Sequence, residues 1–135
     1  MSLASYIGCN VEIPLSDDDS NDVILIGNCF SDEVHRINVK KNQLTTDYVY
    51  EVSTHWGINI SEYTNQRVRT ESRQKLIRLC EIMDEYLGKG DYFELYTCWI
   101  GEEYEEREGE LTIQLKNFDI DKISIPERTV VRFEK

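Results

Sequence analysis

No stretch of this chain stays apolar for more than four residues, the longest being Val23-Ile24-Leu25-Ile26. A membrane-spanning helix needs about 20, so none is expected. No basic segment leads into an apolar one, as a secretion signal would require, and a cytoplasmic protein is expected. Met1-Ser2-Leu3 reads as a possible expression leader ahead of the strand-like ASYIGCNVEI. Histidine is scarce: His35 and His55 are the only two, and neither stands three or four residues from another His or Cys, as helical metal pairs do. The four cysteines, Cys9, Cys29, Cys80 and Cys98, are 20, 51 and 18 positions apart, which fits neither a CxxC redox pair nor a zinc knuckle. Reduced, buried, metal-free thiols are the expectation.

Glycine-rich phosphate loops are also missing. Gly8, Gly27 and Gly57 are isolated, and none falls in GxGxxG or GxxxxGK spacing. Asp17, Asp19 and Asn21 copy the first three ligand positions of a calcium loop, but Asp22 stands where its glycine belongs and Asn28 where its glutamate belongs. A solvated turn is the reading there. Cys29 with a distant histidine could act as a nucleophile, but nothing around the cysteine supports it and burial is preferred. No cofactor is implied.

What the chain does have is acid, unevenly spread. The net charge is −11. Residues 81–110 carry eleven acids against Lys89 and Arg107, a net of −9, whereas residues 66–80 carry Arg67, Arg69, Arg73, Lys75 and Arg78 against Glu71, a net of +4. Such a chain repels nucleic-acid backbones and anionic membranes, so neither is expected as a partner. The 135 residues suit one domain with a real core.

Period-two apolar residues at Ile7, Cys9, Val11 and Ile13 predict a strand over Tyr6–Ile13, ended by Pro14. Val23–Ile26 predicts a second, more central strand, and the alternation of Ile37 and Val39 in HRINVK a third. Tyr48, Val49, Tyr50, Val52, Trp56, Ile58 and Ile60 favour strand over helix between Asp47 and Ile60. Leu76, Leu79, Cys80, Met83 and Leu87 form one stripe of a long helix from about Thr70 to Leu87, with Gly88 placed to cap it. Its basic residues cluster at the start and its acids near the end, against the helix dipole, so a compensating acidic segment near the basic turn is expected. Ile123, Ile125, Val131 and Phe133 supply one or two closing strands around Pro126-Glu127-Arg128. Together these elements predict a single α+β domain: a largely antiparallel sheet of six or more strands with one long helix packed on it.

The most distinctive stretch is DYFELYTCWIGEEYEEREGELTIQL, residues 91–115. It reads as a hairpin whose strands are Tyr92–Ile100 and the alternating Leu111, Ile113 and Leu115, with an acidic tip between them. A short hairpin turn does not call for Glu102, Glu103, Glu105, Glu106 and Glu108 around Tyr104. Those six residues are the candidate contact surface for a basic protein partner, with Tyr104 as anchor; solubility, or pairing with Arg67, Arg69 and Arg73, is the alternative. Glu94 could be a desolvated general acid in a small enzyme or ligand binder that also uses the aromatics and a histidine, or simply a cross-strand partner for a basic residue. Size, acidity and the lack of a catalytic motif are similar to those of the small acidic immunity proteins that neutralise bacterial toxins. That resemblance implies a non-enzymatic protein-binding module and transfers no site residue.

Overall fold

The computed structural model describes residues 3–17, 19–27, 33–52, 57–61 and 64–135. Among them the chain forms β1 (Leu3–Cys9), β2 (Ile26–Gly27), α1 (Glu33–Asn42), β3 (Tyr48–Val52), α2 (Gln66–Tyr86), β4 (Tyr92–Trp99), β5 (Gly109–Gln114) and β6 (Thr129–Glu134). The strands make one sheet in the order β2-β3-β1-β4-β6-β5. Every pairing is antiparallel except β5 with β6. The α+β class and the long helix are as expected.

Helices cover both faces of this sheet. Leu76, Leu79 and Met83 of α2 pack on Ile7, Phe93, Leu95, Val131 and Phe133, where the Phe93 and Phe133 rings stack at 4.9 Å. Val39 of α1 packs with Tyr6, Val49, Tyr96, Cys98 and Val130 on the other face. Central strands are therefore buried on both sides, and all seven residues of β1 are buried, Leu3 included. Leu3 pairs with Trp99 and so belongs to the sheet. Beyond Cys9 the expected strand does not continue; Ile13 instead donates its N–H to the buried Tyr50 hydroxyl at 3.1 Å.

Three expectations are corrected. HRINVK is part of helix α1, not a strand: Val39 is buried while Ile37 is 51% exposed, so the two do not share a strand face. Glu33 in its first turn and Lys40 and Lys41 in its last agree with the helix dipole, a signal that outweighs a two-residue alternation. Among the described residues Val23–Ile26 yields only the edge strand β2 at its end, with the Ile26 N–H accepted by Ser16 Oγ at 2.9 Å. Gly88 is not a left-handed cap; Leu87 ends α2 in an extended conformation, and the positive φ falls at Gly90. At its other end α2 begins earlier than expected, because Asn65 Oδ1 accepts the Val68 N–H at 2.9 Å and caps it.

The hairpin is the fourth correction. β4 and β5 never pair; β6 lies between them, antiparallel to β4 and parallel to β5. β6 contributes Val130, Val131 and Phe133 to the core and takes the inner position, while β5 is left as a half-exposed edge. A connection of nine residues, 100–108, can span an intervening strand where a tight turn cannot.

Candidate protein-interaction site

The acidic connection is folded down onto α1. Gly101, at φ 103°, allows a turn in which Glu102 N–H reaches the Trp99 carbonyl at 3.0 Å, and Glu105 N–H then reaches the Glu102 carbonyl at 3.0 Å. Gln43, just past α1, is the clamp. Its buried Nε2 donates to the Glu103 carbonyl at 3.1 Å and the Glu105 carbonyl at 2.7 Å, and its own carbonyl accepts from Arg107 Nη2 at 2.9 Å. The exit is held by Glu108 N–H on the Arg128 carbonyl at 2.7 Å and by Arg128 Nη2 on Glu108 Oε1 at 2.5 Å.

These bonds sort the six candidate residues into two groups. Glu103 is 1% exposed and points inward. Its Oε2 accepts the Gly101 N–H at 2.7 Å, and its Oε1 contacts His35 Nδ1 without the alignment of a hydrogen bond. It supports the surface. Tyr104 is 66% exposed, Glu106 and Glu108 are exposed, and Glu102 and Glu105 are half-buried, so these five form the outward rim. Among the described residues the cations within reach are Arg107, on Glu110 at 2.8 Å, and Arg128 on Glu108. Pairing of this cluster with Arg67, Arg69 and Arg73 is not what occurs: Arg67 is on Glu71 at 3.3 Å, and Arg73 approaches Asp121 at 4.0 Å. Asp121 is the acidic residue that reaches the basic turn.

Beneath the loop, Tyr96 and Cys98 have no exposed surface. Burial pushes the Tyr96 phenol up, as it does the Cys98 thiol. The Cys80 thiol is pushed up to about 12, again chiefly by burial. With Cys9 also buried and raised, the three described cysteines behave as small hydrophobes. Cys29, His55 and Trp56 lie outside the described residues.

Glu94 has two engagements. Oε1 accepts the Thr45 N–H and hydroxyl, each at 2.9 Å, and Oε2 lies 3.9 Å from Arg132 Nη2. Arg132 is its direct register partner on β6, so Glu94 is a cross-strand partner at the sheet. Gly8, opposite Glu94 on β1, lets Thr46, the neighbour of Thr45, approach the strand: a Cβ there would stand 2.2 Å from Thr46 Oγ1. Thr45, Glu94, Arg107 and Arg132 help line a cleft of about 310 Å³. His35 is engaged at Glu103 rather than at Glu94.

Sequence reasoning missed Gln43, His35 and Arg128 as the frame of the acidic loop. Nothing in their local sequence marks them, since each is separated in the chain from the segment it holds. Compared with protein-family models, curated proteins and solved structures, the chain matches none.

Proposed function

We propose that this domain is a non-enzymatic protein-binding module that presents Tyr104 and the surrounding carboxylates to a basic protein, neutralisation of a toxin being the most concrete form. The observation that carries the reading is Tyr104, a large aromatic 66% exposed on a loop whose backbone is bonded to Gln43 at both flanking carbonyls. A side chain held this way has lost its backbone freedom before a partner arrives, which lowers the cost of association. Exposed aromatics amid charge are frequent anchors. The carboxylates of Glu102, Glu105, Glu106 and Glu108 would steer the encounter rather than set the final affinity.

The test installs a photo-crosslinking residue at position 104, with a control at Ile77 on the opposite layer, in cells that express the protein natively. A single basic protein captured from position 104 and not from 77 is the expected result. Association of that protein should slow ~10-fold or more when Glu102, Glu105 and Glu106 become glutamine at low salt. Tyr104→Ala should raise the dissociation rate by ~10-fold, while the melting temperature stays unchanged. Equal capture at both positions, or unchanged kinetics in both variants, ends the proposal. Glu103 is left intact because it holds the loop.

A further inference from the structure

We propose that the cleft between the first half of α2 and the Ile60–Ile125 bridge binds the phosphate of a compact phosphomonoester. The cleft, about 330 Å³, lies on the α2 face of the sheet, away from the acidic loop, and is independent of the reading above. That volume is at the small end of ligand sites. Arg69 and Arg73, one helical turn apart, line it together with Ser61, Ser124, Ile123 and Pro126.

Four arginines fall in the basic block 67–78, and their partners separate them. Arg67 is on Glu71 at 3.3 Å; Arg78 grips both oxygens of Asp22, at 3.1 and 2.9 Å. The two that line the cleft are the two left over. Among the described residues Arg69 pairs with no carboxylate, and Arg73 reaches Asp121, itself 80% exposed, only at 4.0 Å. The Arg73 Nε is buried with no acceptor. With Arg69 unpaired among the described residues and Arg73 held only loosely by Asp121, the guanidinium N–H groups at the cleft are a donor set that an oxyanion would satisfy.

The chemistry favours phosphate over carboxylate. One carboxylate saturates one arginine fork, whereas a phosphate dianion presents three oxygens and a charge that two adjacent guanidiniums match. The Ser124 hydroxyl donates to the Ile60 carbonyl at 3.3 Å, and by rotating away from it would close the polar side with a donor to the anion. Ile123 and Pro126 then offer apolar surface to the ester group. A chain of net charge −11 holds this basic cluster against its own field, so long polyanions are disfavoured while a small, enclosed anion is not.

The experiment is a two-dimensional NMR titration of the full chain with sodium phosphate, phenyl phosphate and sodium acetate at constant ionic strength. Saturable shifts confined to the amides of Ser61, Arg69, Arg73 and Ser124 are expected. Phenyl phosphate should bind more tightly than inorganic phosphate, and acetate at least ~10-fold more weakly. Arg69→Gln, which removes no ion pair among the described residues, should weaken phosphate ~10-fold with little change in melting temperature; Ser124→Ala serves as a second variant if Arg73→Gln does not fold. Shifts that fail to saturate or scatter over exposed lysines, acetate as tight as phosphate, phenyl phosphate no tighter than phosphate, or Arg69→Gln binding like the parent would each overturn the assignment.

Discussion

Gln43 shows how much of a surface can depend on one buried amide. Its two donated bonds hold the carbonyls on either side of Tyr104, and both carbonyls would lose their donor in Gln43→Ala. Leaving such groups without partners costs ~1 to 3 kcal/mol. Hydrogen exchange of residues 101–108 should accelerate in that variant, with a lowered melting temperature and little change in the exchange of α2. Uniform acceleration across the chain would show that Gln43 supports the fold rather than the loop. Glu94 carries the complementary lesson. An acid inside an apolar strand invites a catalytic reading, yet its own register partner is Arg132, and Thr45 occupies its other oxygen. Only strand pairing could reveal that, because Arg132 lies 38 positions away in the chain.

At the scale of elements, α2 reconciles its unfavourable charge order with local partners. Asp84 sits near the C-terminal end, where the helix dipole repels a carboxylate. Lys135 Nζ donates to the Asp84 and Leu87 carbonyls, each at 2.7 Å, and lies 3.2 Å from Asp84 Oδ1, with Lys116 3.3 Å from Oδ2. Desolvation pushes the Asp84 carboxyl up, but the hydrogen bonds and charges of Lys135 and Lys116 outweigh it and hold it below its ordinary value. A depressed folded pKa means the contribution is present above the unfolded value, near 4, and is lost as pH falls through the folded one. Lys135→Ala should therefore lower the melting temperature at pH 7 and flatten its fall below about pH 4. A variant whose acid transition matches the parent would assign Lys135 to the helix carbonyls alone. The stripe of α2 was legible in sequence because Leu76, Leu79, Cys80 and Met83 recur at helical spacing and Leu87 continues them; α1 was not, because Val39 is its only buried residue.

Taken whole, the molecule is a sheet enclosed by helix on both sides, and that enclosure governs its thiols. Cys9 and Cys80 lie in the core beneath α2, and Cys98 in the one beneath α1. A thiol reagent applied to the native protein at pH 8, with labelled peptides identified by mass spectrometry, should leave all three unmodified, and denaturant should release them together. Labelling of Cys98 in the native state would mean that the acidic loop opens. The absence of any helix long and apolar enough to span a membrane, among the described residues, agrees with the composition.

The sequence by itself determined the α+β class, the buried stripe of α2, the strand character of β1, β3 and β4, and the location of the acid. Each of these depends on neighbours within a few residues, where periodicity and β-branched content act directly. Strand order, the insertion of β6 between β4 and β5, the descent of the acidic loop onto α1 and the gathering of Arg69, Arg73, Ser61 and Ser124 around one cleft were decided only in three dimensions. β6 takes the inner position and buries Val130, Val131 and Phe133 while β5 stays a half-exposed edge, and no local pattern compares segments that far apart.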